Sequence, residues 1–168
     1  LELAAGWAGS NSGTNGHLDV QGQVRGLRSV DLDLLPSTLH LGRGNWRNEE
    51  VAHIVIDSST VLVDTLMLEN GVQRIAVSGR MSRDPREALL FALHDVDIAN
   101  FRPLMEGPPI DGTVSGDGRL YDLYGTPYLE SYLCADSVQV EDKPVGDIRF
   151  HADWSEETGS VALSGELT

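Results

Sequence analysis

What the chain lacks narrows the possibilities first. A single cysteine, Cys134, rules out an internal disulfide and any CxxC metal site, so neither a disulfide scaffold nor a zinc module is available. Cys134 follows Leu133 in an apolar stretch and reads as a small buried hydrophobe. Basic residues are scarce: Lys+Arg 12 against Asp+Glu 26 leave a net charge of -14. Such a surface repels a polyphosphate backbone, because nucleic-acid binding rests on clustered Lys and Arg, so DNA and RNA are not expected as partners. Charge-driven docking onto anionic headgroups is disfavoured for the same reason. No run of about 18 apolar residues is present to form a membrane-spanning helix, and no basic stretch followed by an apolar one marks a signal peptide. The chain opens on Leu1 rather than methionine, and Val161 to Leu167 still alternate like a strand at its other end. Both features read as a piece of a longer protein.

What is present is alternation. In 168 residues that are 40% apolar, enough for a modest core in one domain or two tandem units, nearly every segment has one apolar and one polar face. Leu18, Val20, Gly22 and Val24 alternate with Asp19, Gln21 and Gln23; Val30, Leu32 and Leu34 with Asp31 and Asp33; Leu39 and Leu41 flank His40. The pattern continues through Ile54 and Ile56, Val61 and Val63, Leu66 to Leu68, and Ile75 and Val77. In the second half it recurs at Val114 to Leu120, Val138 and Val140, Ile148 to Trp154, and Val161 to Leu167. A period of two puts alternate side chains on one face of a strand, and a polar opposite face indicates antiparallel rather than doubly covered parallel pairing. The expected fold is therefore all-β.

Turn chemistry separates these runs: Asn15-Gly16, Leu35-Pro36-Ser37, Gly42-Arg43-Gly44, Asn70-Gly71, Arg83-Asp84-Pro85, Gly125-Thr126-Pro127, Asp142-Lys143-Pro144 and Thr158-Gly159 are candidate hairpin corners. Residues 1 to 16, rich in Gly, Ala, Ser and Asn, read as an irregular or flexible lead-in. The stretch from Pro85 to Leu104 fits either a helix or a strand followed by a short helical turn; the strand with a turn is preferred, over 89 to 105, with Pro103, Pro108 and Pro109 ending it. Two weak repeats, 17 to 81 and 113 to 168, flank it. Leu39 to Ile54 lies over Leu133 to Ile148, and Ile75 to Met81 over Val161 to Leu167.

Chemistry-bearing motifs are thin. His17, His40, His53, His94 and His151 are scattered without metal-ligand spacing. The pairs Asp31/Asp33 and Asp95/Asp97 have the spacing to bind calcium or act as acid and base, but are better read as the wet side of alternating strands. Gly112 to Gly118 has no Walker lysine and no GxGxxG spacing, and no GxSxG elbow exists. No catalytic, cofactor or metal site is expected. Tyr121, Tyr124, Tyr128 and Tyr132 form the one local aromatic cluster and leave room for a second reading, a carbohydrate-binding or structural β-sandwich of a secreted or cell-surface protein. The apolar face itself is core in a closed sandwich and a hydrophobic trough in an open curved sheet; periodicity does not separate the two.

The run Asp97-Ile98-Ala99-Asn100-Phe101-Arg102-Pro103-Leu104, then Ile110-Asp111-Gly112-Thr113-Val114-Ser115-Gly116-Asp117-Gly118-Arg119-Leu120, then Ser137 to Val140, Pro144 to Ile148 and Val161 to Leu167, resembles the TamB family, the translocation and assembly module subunits of the AsmA-like superfamily. The resemblance is firmest over 89 to 168 and loose over 14 to 81. It implies a curved, mainly antiparallel sheet, the β-taco, with a concave hydrophobic groove. It further implies a periplasmic segment of an inner-membrane-anchored Gram-negative protein that supports lipid transport and outer-membrane protein assembly. Expected partners are phospholipid or another acyl-chain lipid and, through parts outside this chain, an Omp85-type outer-membrane barrel. Edge-to-edge self-association of the piece through its open strands is a further expectation. Carried over by position, the lipid-facing groove would comprise Leu18, Val20, Leu32, Leu39, Leu41, Ile54, Ile56, Val61, Val63, Phe91, Leu93, Val114, Leu120, Val138, Val140, Ile148, Phe150, Val161 and Leu163.

Overall fold

The computed structural model describes residues 2–8, 15–24, 29–104, 107–122, 128–155 and 160–167. Their strands are β1 (Glu2–Ala8), β2 (Asn15–Val24), β3 (Ser29–Leu34), β4 (Ser37–Leu41), β5 (Gly44–Asn48), β6 (Ala52–Asp57) and β7 (Val61–Asn70). They continue as β8 (Gln73–Met81), β9 (Ala88–Asp97), β10 (Ile110–Tyr121), β11 (Tyr128–Val140), β12 (Lys143–Ser155) and β13 (Ser160–Leu167), with one 3-10 turn, η1 (Ile98–Leu104), between β9 and β10. All belong to one curved, open, antiparallel sheet. Among the described residues no helix is long and apolar enough to cross a membrane.

Although thirteen strands are formed, they fill eleven positions. β3 and β4 run in the same direction against β2, with Val24 opposite Val30 and His17 opposite Thr38, so they are one strand interrupted at Leu35-Pro36. β5 and β6 continue each other in the same way, pairing with β4 and β3 respectively and then both with β7. The result is a meander in which each of the eleven strand positions lies beside its neighbours in sequence. Proline explains one interruption, since Pro36 supplies no N–H to a ladder. Leu35-Pro36-Ser37, expected as a hairpin corner, is thus a break within a strand position.

The hairpin corners are set by backbone conformation. Gly42-Arg43 joins β4 to β5, with Leu41 opposite Gly44. Gly71-Val72 joins β7 to β8, with Asn70 opposite Gln73, one residue later than the Asn70-Gly71 signal suggests. At β11–β12 the corner is Glu141-Asp142, both at positive φ (51 and 61), the geometry that matches the strand twist. At β6–β7 the Asp57 carboxylate does this work, accepting the N–H of Ser59 (2.7 Å) and of Thr60 (2.8 Å). The corners expected at Gly125-Thr126-Pro127 and Thr158-Gly159 lie outside the described residues.

Residues 2–8, read as part of an irregular or flexible lead-in, form β1, which pairs with β2 from Glu2 opposite Gln21 to Ala8 opposite Asn15; Leu3, Ala5 and Trp7 carry the same period-2 pattern as their partners Val20, Leu18 and Gly16. Residues 1 and 9–14 of that stretch lie outside the described residues. Asn15-Gly16 sits inside β2 rather than at a corner. The displacement that lays Leu39–Ile54 over Leu133–Ile148 places the corner Gly42-Arg43 over Asp136-Ser137, inside β11. The strand and helical turn expected over 89 to 105 are β9 and η1.

The apolar face as candidate functional site

Paired residues of an antiparallel ladder lie on the same face, so the register traces that face across the sheet. One row runs Leu32, Ile54, Val63, Gly79, Leu89, Leu120, Leu129. A second runs Leu68, Ile75, Leu93, Gly116, Leu133, Phe150, Gly165. Bulges keep the face intact where the sequence period slips. The spacings Val63 to Leu66, Leu93 to Val96 and Ala135 to Val138 are three rather than two, and at each the ladder shifts by one residue. Asp95 (φ 49) and Ser137 (φ 54) take up the extra residue in β9 and β11.

All the residues expected to line a groove fall on this one face by register. Leu41, Val61, Val63 and Val138 are buried. Leu32, Leu39, Ile54, Phe91, Leu93, Val114, Leu120, Val140, Ile148 and Phe150 are half-buried, and Ile56 is 43% exposed. Leu18 and Val20 in β2, and Val161 and Leu163 in β13, are placed by backbone pairing alone.

The face is the inner side of the curl, because side chains from non-adjacent strands meet across it. Leu41, Trp46 and Val96, from β4, β5 and β9, form one cluster with Leu68, Ile75, Leu93 and Phe101 around it. Val61, Val63 and Met81 form a second, joined by Ile54, Leu66, Val77, Leu89 and Leu120. Trp46 and Met81 are each 1% exposed. From β4 to β9 the large side chains therefore pack largely on one another, and η1 lies over the margin beside Trp46, with the Trp46 and Phe101 rings 5.8 Å apart.

Trp46, Met81, Val96, Phe101 and Asn100 are central to this face and were not among its expected members. Met81 continues the alternation of Ile75 and Val77, so its signal was present. Trp46 was masked by polar neighbours on both sides, Asn45 and Arg47, in a strand without another apolar residue.

Buried polar groups interrupt the apolar surface. Trp46 Nε1 and Ser131 Oγ are buried without a hydrogen-bond partner; such a group costs about 1–3 kcal/mol. Asn100, 2% exposed, is satisfied: its Nδ2 donates to Gln73 Oε1 at 2.9 Å, and the same oxygen accepts the Asp97 N–H at 2.9 Å.

The outer face carries the charge. The pair Asp31 and Asp33 brackets His53, with Asp33 Oδ1 2.8 Å from Nδ1 and Asp31 Oδ1 3.5 Å from Nε2. The hydrogen bond to Asp33 raises the His53 pKa above 6.5, and the charge of Asp31 adds to it. A raised folded-state value means that the imidazolium stabilises the fold fully below 6.5, and this contribution is lost as pH rises through the raised pKa. NMR titration should find the His53 midpoint above 6.5, returning toward it in Asp33→Asn; an unchanged midpoint in that variant would refute the pairing. Among the described residues no group of three or more His, Cys, Asp or Glu could hold a metal ion.

Tyr121, Tyr128 and Tyr132 also lie on the outer face by register; Tyr124, the fourth member of the expected cluster, lies outside the described residues. Tyr121 stacks on Tyr128 at 4.5 Å and donates to Glu130 Oε2 at 2.9 Å. Tyr132, 56% exposed, leans on His151 with ring centroids 5.7 Å apart. Beside them a shallow depression of about 370 Å³ is lined by Tyr132, Arg149, His151, Ser164 and Glu166, with Phe150 and Gly165 beneath.

Compared with known proteins, the chain matches no family model, no curated protein and no solved structure.

Proposed function

We propose that this sheet is a non-enzymatic carrier segment, its apolar inner face shielding the acyl chains of phospholipid, or nascent outer-membrane β-strands, from water. The setting is the one the TamB resemblance implies: the periplasm, in a protein anchored in the inner membrane and meeting an Omp85-type barrel through parts outside this chain. The observation that supports the reading is an apolar face continued by register through successive strand positions of an open sheet, over which the described residues place no second sheet. An acyl chain on such a face gains about 0.8 kcal/mol for each CH₂ removed from water. The strands β11 to β13, beyond the tightly packed clusters, are the place for it, with Leu133 and Phe150 side by side on the inner face and Gly116 and Gly165 flanking them in the same row. Among the described residues β1 and β13 are the edges of the sheet, with no strand paired beyond them, and so are the places where a second copy would add; Leu167, 61% exposed, stands at one of them.

Phe150→Glu tests the reading. A charge on a wet groove wall leaves the fold intact and repels an acyl chain, whereas in a closed core it unfolds the protein. The expected result is a native β signal by circular dichroism together with loss of fluorescent fatty-acid binding. Loss of the β signal, or binding equal to wild type, counts against the groove.

A second reading is favoured by the outer depression. Tyr132 presents an exposed ring flanked by Arg149, His151 and Glu166, the combination of a flat apolar surface and polar rim that a saccharide uses. Saccharide-dependent shifts of Tyr132 and His151 resonances, with no fatty-acid binding, would select it.

A further inference from the structure

The chain carries two Asn-Gly pairs, Asn15-Gly16 and Asn70-Gly71, and the fold holds them differently. In such a pair the glycine has no side chain to block the approach of its nitrogen to the asparagine Cγ, so ring closure to a succinimide is least hindered there. Closure still requires the backbone at the pair to leave its extended conformation. Asn15 faces Ala8 on one side and His40 on the other, and Gly16 faces Trp7 and Leu39, so both residues are held in ladders from both sides.

Asn70 is the last residue of β7, and Gly71 follows it outside the ladder, at φ +66. Among the described residues the Gly71 N–H has no acceptor, and nothing stands within 4 Å of where a Cβ on it would be. Only the terminal Asn70–Gln73 pair of the hairpin has to open for the nitrogen to turn onto Cγ, and the end of a ladder opens more cheaply than its middle. The Asn70 side chain is also set for attack. Its Oδ1 accepts the Asn45 N–H at 3.3 Å, which puts a donor on the oxygen that gains charge as Cγ becomes tetrahedral. The leaving nitrogen, Nδ2, lies 3.1 Å from where a Cβ on Gly44 would stand, and Asn100 Cγ of η1 is equally near, so the β4–β5 corner, the β7–β8 corner and η1 meet at this amide.

We infer that Asn70 is a self-modification site, converted without an enzyme to aspartate and isoaspartate. The Gly71 nitrogen forms a bond to Asn70 Cγ, its proton goes to Nδ2, and Nδ2 leaves as ammonia, closing the succinimide. Water then cleaves either the bond from nitrogen to Cγ, giving aspartate, or the bond from nitrogen to the original main-chain carbonyl, giving isoaspartate; no oxidant or reductant takes part. Either product adds a negative charge next to Glu69, and the iso form inserts a carbon into the main chain at a corner that ties β7 to β5 through the Asn45 N–H.

The test is peptide mapping by mass spectrometry of the whole protein held at mildly alkaline pH, with electron-transfer fragmentation to distinguish isoaspartate from aspartate, run in parallel in guanidinium chloride. In the unfolded chain both pairs have the same chemistry and should convert at similar rates. In the native protein Asn70 should convert several-fold faster than Asn15. Native rates at the two sites in the same or a lower ratio than in denaturant, or an Asn70 that stays an amide in the folded protein while converting in denaturant, overturns the assignment.

Discussion

Gly116→Ala is expected to destabilise the protein by about 3 kcal/mol or more, from backbone strain and a steric clash that cannot both be relieved. Gly116 sits at φ +145, a conformation L side chains rarely adopt, and a Cβ there would stand 2.1 Å from the Tyr132 carbonyl oxygen and 2.9 Å from the Leu133 Cα. Both neighbours are backbone of β11, so relief would require β10 and β11 to part at the centre of their ladder. Gly165 is the internal control. It lies in the same row of the same face, at no positive φ, and the nearest atom to its would-be Cβ is the Arg149 carbonyl oxygen at 3.6 Å. Urea melts should therefore separate the two: a large loss for Gly116→Ala and a change within about 1 kcal/mol for Gly165→Ala. Equal effects would mean that these glycines are not what lets the sheet curl closely here.

Trp46→Ala should be comparably severe, about 3–5 kcal/mol, the usual cost of deleting a buried aromatic. Its ring is 1% exposed and is shared by β4, β9 and η1, elements that are not ladder neighbours of one another, so its loss loosens the curl as well as a local contact. Trp46→Phe should cost much less, because the indole N–H it removes has no partner and the smaller ring still meets Phe101 and Val96. Thermal melts of the two variants provide the check. A phenylalanine as damaging as alanine would show that the N–H matters, and hence that it is bonded in solution.

The all-β, antiparallel character was legible because one face of almost every strand is apolar and the other polar. The same alternation assigned Leu32, Ile54 and Leu120 to one face through residues far apart in sequence. It failed where the backbone departs from regular geometry. Bulges at Asp95 and Ser137 change the spacing of Leu93 to Val96 and of Ala135 to Val138, so Val96 dropped out of phase. Turn signals were read as chemistry without register: Pro36 interrupts a strand without reversing it, and Asn15-Gly16 is inside one. Whether an apolar face is core or trough depends on how sharply the sheet curls, and that is fixed by contacts such as Trp46 with Phe101 and by the close packing of β11 on Gly116. Such contacts join residues whose local patterns say nothing of each other. η1 was visible as a proline-terminated turn after Asp97, but its return to the β4–β5 corner had no sequence signal.

Native mass spectrometry of the purified protein, with organic extraction of any lipid that accompanies it, tests the carrier reading most directly. Phospholipid retained by the wild type and absent from a folded Phe150→Glu variant is the predicted result. A wild-type mass with no adduct, from a protein that also takes up no lipid when mixed with phospholipid vesicles, would contradict it and make the inner face an ordinary core.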